Sequence, residues 1–274
     1  MINKRIDLYE HFGVTRPENG QGYLNTYVLD PIYAGRKRPA MLVIAGGGYS
    51  AVSLREKEPI LLRYASAGFN CFTLDYSVKP VTFPAQLIEG AMAMAYIREN
   101  AEELMIDPDL VAAIGFSAGG HLTAMLATMF NAKEVKEALK EKASLVKPNA
   151  VILSYPVISS GINAHQGSFN NLCGENKSLR KRLSLENKIS KKCPPAFIWG
   201  TVNDGVVPSE NALFTAMKYK EAGVPFELHM FENGSHGLGV ATIESKFVNE
   251  SVQPWVGLSI TWLTNRGFVI KDVI

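Results

Sequence analysis

Residues 110–114, Leu-Val-Ala-Ala-Ile, run directly into Gly115-Phe116-Ser117-Ala118-Gly119, and a helical pattern over 121–129 follows at once. A short apolar run of this kind reads as a buried strand, so the chain must reverse into a helix within five residues. A turn that tight tolerates almost no side chain beside it, which gives Gly115 and Gly119 a physical reason to be glycine. It also lifts the Ser117 hydroxyl clear of the backbone. A strand–elbow–helix unit with an exposed hydroxyl at its tip is the context that a nucleophilic serine needs.

The rest of the chain repeats the alternation. Strands are expected over 40–45, 70–74, 110–114, 150–154, 196–199 and 226–231, with an edge strand or hairpin near 23–29. Helices are expected over 59–67, 85–104, 121–129 and 255–263, the last with Trp255, Leu258 and Trp262 on one face. Strands alternating with helices predict an α/β fold whose mostly parallel central sheet is flanked by helices on both faces. With no repeat or linker, residues 1–274 read as one domain. Two stretches interrupt the pattern. Residues 133–147 carry mixed charge and read as a solvated helix. Residues 157–194 form a polar insertion, too polar for core, read as loops or short helices above the carboxyl edge of the sheet, where open α/β folds bind ligands, and so as a candidate lid or substrate-contact region. Within it, Arg180-Lys181-Arg182 reads as surface charge.

Composition narrows the function classes. A net charge of +2 is too small to suggest a nucleic-acid partner, and 47% hydrophobic with 20% charged residues is ordinary for a globular chain. No run approaches the roughly 18 apolar residues of a membrane span. The first dozen residues include Lys4, Arg5, Asp7, Glu10 and His11, unlike a targeting segment. Cys71, Cys173 and Cys193 are odd in number and lack zinc-site spacing, so they are expected reduced and buried, with no metal. Together these features point to the cytoplasm.

Serine is a weak nucleophile at neutral pH and needs a base, which in turn needs an orienting acid. His236, in the loop Gly234-Ser235-His236-Gly237 after the last strand, has glycine neighbours that let it reach Ser117. Its rivals fit other roles: His11 is in the polar N-terminus, His121 starts a helix, His229 lies within a strand, and His165 is in the insertion. Asp204 is the only acid in the loop 200–208, and Glu232 is the alternative. Acyl transfer also needs donors for the developing oxyanion. Gly46-Gly47-Gly48 follows a strand, so the amides of Gly47 and Gly48, with that of Ala118 after the nucleophile, are the expected oxyanion-hole donors. Tyr49, closing the glycine turn, and His165 are the substrate-binding candidates. A phosphate cradle is disfavoured because neither G-x-G-x-x-G nor a terminal Gly-Lys-Ser/Thr is present.

The order Ser, Asp, His is that of α/β-hydrolases. Over nearly its full length the chain resembles that superfamily, in the esterase/lipase branch of acetyl xylan esterases and related feruloyl esterases, often labelled sugar hydrolases. The resemblance rests on Gly-Gly-Gly-Tyr at 46–49, Asp75-Tyr76 with Phe83-Pro84-Ala85, Gly-Phe-Ser-Ala-Gly-Gly-His-Leu at 115–122, Ser154-Tyr155-Pro156-Val157, the loop ending at 204–208, and 234–237. It implies an α/β-hydrolase fold and cofactor-free hydrolysis of short-acyl esters, often acetyl groups on sugars. It also implies Ser117, Asp204 and His236 as catalytic residues, with Gly47, Gly48 and Ala118 as oxyanion donors. One departure stands out: many relatives have His or Pro before the glycines, where this chain has Ala45.

The sequence therefore predicts a serine carboxylesterase acting on a small-molecule ester, probed against two alternatives. One is a peptidase or amidase of the same fold; the other is a non-catalytic ligand-binding member. A lipase is disfavoured because no long apolar cap is visible. A homo-oligomer is compatible with the sequence.

Overall fold

The computed structural model describes residues 3–31 and 35–272. In chain order, β1 (Arg5–Asp7), α1 (Leu8–Phe12), β2 (Tyr23–Tyr27) and β3 (Arg36–Ile44) precede α2 (Glu58–Ser66) and β4 (Asn70–Asp75). Then come α3 (Ala85–Glu99), β5 (Ile106–Phe116), α4 (Ala118–Thr128), α5 (Lys133–Leu139) and β6 (Ala150–Ser154). The chain continues through α6 (Gln166–Cys173), α7 (Lys177–Arg182), β7 (Ala196–Thr201), α8 (Glu210–Glu221), β8 (Phe226–Phe231), α9 (Trp255–Thr264) and β9 (Lys271–Asp272).

The strands form one sheet in the order β1-β2-β4-β3-β5-β6-β7-β8, with β9 paired to the start of β3. From β4 to β8 every neighbouring pair is parallel, while β1 and β2 run antiparallel at one edge. Successive strand residues point to opposite faces, and the chain exploits this. Ala40, Leu42, Val111, Ala113, Val151 and Ile198 join a core beneath α3, α4 and α8. Met41, Val43, Ala112, Ile114, Phe197 and Trp199 join a second core beneath α2 and α9. Apolar residues at every position of the central strands thus follow from burial on both faces.

The expected strands and principal helices are present, with differences that have local causes. The strand Arg5–Asp7 was not anticipated, being three residues of which two are charged. The helix expected over 85–104 ends at Glu99, and the chain reverses through Met105, whose φ is +51°. The stretch 133–147 breaks at Lys140 (φ +52°), and Val135 and Leu139 are buried, so it is not wholly solvated. On α9 the buried face is Trp255, Ser259, Trp262 and Leu263, whereas Leu258 is exposed.

The insertion requires the largest correction. Its helices α6 and α7 are short, as expected, but it is not too polar for core: it contributes Phe169, Leu172, Leu183 and Leu185 there. Its mean polarity concealed apolar residues at helical spacing. All three cysteines are free and buried. Arg182 pairs with Glu134, and Arg180 donates to Gln166. No helix among the described residues is long and apolar enough to cross a membrane.

Candidate active site

Ser117 sits between β5 and α4, at the carboxyl end of a central strand. Its φ of +53° lies in the left-handed region that side chains other than glycine rarely adopt. The strain is held by hydrogen bonds: the Ser117 amide donates to Ser154 O at 3.0 Å, and its carbonyl accepts from His121 N and Val157 N. A Cβ added to Gly115 would collide with Gly119 O and Thr123 Oγ1, and one on Gly119 would collide with the carbonyls of Ile44 and Ala45. The elbow therefore closes against β3 only because those positions lack side chains.

Two loops bring the base and acid to this hydroxyl. His236 Nε2 lies 2.7 Å from Ser117 Oγ, and its Nδ1 lies 2.7 Å from Asp204 Oδ2. A carboxylate only accepts, so Nδ1–H donates to Asp204 and leaves Nε2 to accept from the serine hydroxyl. Asp204 Oδ1 accepts from the amides of Val206 and Val207 at 2.9 and 3.0 Å. Burial acts to raise the Asp204 carboxyl, but the His236 hydrogen bond and charge and these amides outweigh it and hold it below the ordinary value. Glu232 is exposed and makes no bond to His236.

The loops are also fastened to each other. Asn203 Oδ1 accepts from Gly234 N at 2.7 Å, and Thr201 Oγ1 donates to Gly234 O at 2.8 Å. Asn203 has no charge to give; its contribution is structural, and the sequence offered no sign of it beyond proximity to Asp204.

The glycine turn follows β3 directly. Gly47 and Gly48 have φ of +125° and +63°, and a Cβ on Gly47 would collide with Ala51 O. The amides of Gly47, Gly48 and Ala118 make no hydrogen bond to any described residue, whereas Gly46 N donates to Glu56 Oε2 at 2.9 Å. Tyr76 donates to Ala45 O at 2.8 Å. Tyr76 and Glu56 thus brace the turn at Ala45 and Gly46.

The two substrate-binding candidates separate. Tyr49 is corrected: it is 1% exposed, and its hydroxyl bonds His121 Nδ1 at 2.9 Å. Its own φ is +57° and its ring packs between Tyr76 and His121, so it lies beneath the cleft. His121 Nε2 meets Leu183 O at 2.9 Å, a carbonyl that can only accept. Nε2 therefore carries the proton, and Nδ1 accepts from Tyr49. Burial pulls this imidazole down to about 4.

His165 lies close to the glycine turn. It caps α6, its Nδ1 accepts from Ser168 N at 3.3 Å, and its Nε2 bonds no described residue. Burial, then the nearby His236, hold its imidazole below the usual value.

No group of three or more His, Cys, Asp or Glu side chains among the described residues is placed to hold a metal ion. A separate cleft of about 480 Å³, lined by residues including Tyr9, Arg16, Pro80 and Phe83, contains none of Ser117, Asp204, His236, the glycine turn or His165.

The BD-FAE sequence pattern matches residues 28–218, which includes the glycine turn, Ser117 and Asp204. Over 215 residues the chain is 38% identical to an endo-1,4-beta-xylanase B of Butyrivibrio fibrisolvens, covering 76% of this chain and 34% of that protein. The chain thus spans about a third of that curated relative's length. Among solved structures, an acetyl ester-xyloside bifunctional hydrolase from Caldicellulosiruptor lactoaceticus matches with a TM-score of 0.85 at 35% identity, covering 97% of each chain. An alpha/beta hydrolase enzyme from a deep-sea metagenome library matches with a TM-score of 0.76, also at 35% identity and 97% of each chain. The fold is that of the α/β-hydrolases.

Proposed function

We propose that this chain, which belongs to the BD-FAE family, is a serine carboxylesterase that removes short acyl groups, chiefly acetyl, from small carbohydrate esters. The observation that carries the reading is the unbroken relay from Asp204 Oδ2 through His236 to Ser117 Oγ, with 2.7 Å at each contact. In the first step His236 Nε2 takes the serine proton while Oγ attacks the ester carbonyl, and Asp204 stabilises the imidazolium. The carbonyl oxygen becomes an oxyanion, for which the unpartnered amides of Gly47, Gly48 and Ala118 are the available donors. The imidazolium then protonates the departing alcohol, leaving the acyl group on Ser117. Water, deprotonated by His236, releases the acid and restores the serine.

The preference for short acyl groups is supported by the packing below the turn. Tyr49, His121, Val157, Phe169 and Leu172 fill that interior and leave no room there for a long chain. A carbohydrate alcohol is suggested by the similar hydrolase from C. lactoaceticus, which acts on acetyl ester and xyloside. His165 Nε2–H, beside Gly48, is a donor available to a sugar hydroxyl. Three free, buried thiols suit a reducing compartment, in keeping with a cytoplasmic enzyme.

The test is Ser117→Ala on p-nitrophenyl acetate. Turnover should fall by at least about 10,000-fold with the circular dichroism unchanged; full turnover would defeat the assignment. A profile across acyl lengths should peak at two to four carbons or so, and a maximum at long chains would refute the short-acyl reading.

A further inference from the structure

Glu56 is a carboxylate only 2% exposed, on a short helical turn just past the glycines. A buried carboxylate must find donors, and among the described residues it has two. Gly46 N donates to Oε2 at 2.9 Å, and the Tyr155 hydroxyl donates to Oε1 at 2.8 Å. The same hydroxyl accepts from Gly239 N at 3.0 Å. Tyr155 has one proton to give, and it goes to Glu56. Burial, then the Glu56 charge, push the phenol well above its ordinary value, so that proton stays in place. A continuous buried chain therefore runs from the glycine turn through Glu56 and Tyr155 to the loop that carries His236.

Both ends of this chain lie next to reacting groups. A Cβ on Gly46 would come within 3.0 Å of Ser117 Cβ, and Gly46 immediately precedes Gly47 and Gly48. At the other end the Tyr155 ring packs edge-on against the His236 imidazole, with centroids 5.0 Å apart and planes at 68°. Tyr155 is held from its other side by a Tyr155 N–Trp199 O bond of 2.6 Å and by the Trp199 ring at 4.9 Å. Arg55 adds a second contact on the same loop, its Nη2 lying 2.6 Å from where a Cβ on Gly237 would be.

We propose that Glu56, acting through Tyr155, is a positioning residue that sets the oxyanion turn and the His236 loop at a fixed separation, so that donors and base meet the same carbonyl. The inference rests on the esterase reading above. Glu56 touches neither substrate nor Ser117; its effect is on where two other groups stand.

The experiment compares wild type with Glu56→Gln, Tyr155→Phe and the double variant. It measures kcat and KM on p-nitrophenyl acetate and hydrogen–deuterium exchange over residues 45–52 and 232–241. A glutamine keeps the shape but turns an N–H toward one of the two donors. Tyr155→Phe keeps the ring against His236 and Trp199, so it remains informative should Glu56→Gln fail to fold. Glu56→Gln should lower kcat about 100-fold, as a misplacement of about 1 Å does, and Tyr155→Phe about 10-fold, with KM within about threefold in both. The double variant should be no worse than Glu56→Gln alone, because both changes break one chain.

Exchange should rise in both loops in each variant, although Glu56 hydrogen-bonds directly to the glycine turn, at Gly46, and Tyr155 directly to the His236 loop, at Gly239. Wild-type kcat in Glu56→Gln, losses that multiply in the double variant, or exchange confined to the loop next to each substitution would each overturn the proposal. Should the wild type hydrolyse no ester, the functional reading fails on its own. The exchange data then decide the coupling: loosening of both loops supports it, and loosening of one refutes it.

Discussion

The two flanks of Ser117 are held in place by different forces. On one side, the glycine turn and the loops bearing Asp204 and His236 are fixed by directed hydrogen bonds, among them Gly46–Glu56, Gly234–Asn203, Gly234–Thr201 and Asp204–His236. On the other side, the segment 157–194 is anchored mainly by apolar side chains such as Phe169, Leu172, Leu183 and Leu185. Val157 N to Ser117 O at 3.0 Å, Asn171 Nδ2 to Gly48 O at 2.8 Å, and His121 Nε2 to Leu183 O are among its polar ties to the rest of the site. Its rim is open: Ile162 is 98% exposed and His165 is half-buried.

Hydrogen bonds fix direction, whereas apolar burial fixes location and leaves direction free. Oxyanion donors and a general base need the first kind of support. A surface that receives the alcohol of an ester can be built on the second. The proposed chemistry follows this division, with bond-making on the tied flank and substrate selection on the packed one.

The largest departure should come from disturbing the tied flank. Gly47→Ala forces a side chain into Ala51 O at a φ of +125°. The turn must move, and kcat on p-nitrophenyl acetate should fall about 100- to 1,000-fold, the cost of losing one oxyanion donor. Steady-state kinetics with a thermal melt alongside would show whether the loss is local.

His121 gives a second contrast, since it joins the two flanks through Tyr49 and Leu183. Its folded value of about 4 lies below the unfolded value near 6.5. The neutral form is favoured in the fold, so the stability linked to it is complete above about pH 6.5 and is lost as pH falls through about 4. Urea unfolding of wild type and His121→Gln should therefore converge by on the order of 3 kcal/mol between about pH 7 and pH 4. A constant difference would mean that the histidine does not titrate as its burial requires.

The smallest effect is expected on the packed flank. His165→Ala removes the donor proposed for a sugar hydroxyl and should raise KM for an acetylated sugar about 2- to 10-fold. On p-nitrophenyl acetate, which has no sugar, the same variant should stay near wild type.

The elbow was legible in the sequence because sterics leave few choices there. Gly115 and Gly119 flank the serine where any side chain would collide, and the strand and helix on either side are long enough to read. Asp204 and His236 were legible for a related reason, each being the one group of its chemistry in a short loop at the right end of a strand. Glu56 and Tyr155 were not. They are 99 residues apart, and nothing local distinguishes a carboxylate that will be buried from one that will be solvated.

Tyr49 was misjudged because a left-handed residue after three glycines turns its ring inward, and a motif does not give that direction. In the insertion, averaging over nearly forty positions hid the spacing of Phe169, Leu172 and Cys173 on α6, which alone would have signalled a buried face.

The most direct test of the proposed chemistry is to trap the acyl-enzyme. Wild-type protein mixed with p-nitrophenyl acetate, quenched in acid within its first turnovers and digested, should yield an acetyl group on the peptide carrying Ser117. Hydrolysis proceeding with that peptide unmodified, or with the acetyl group on another residue, would contradict the account.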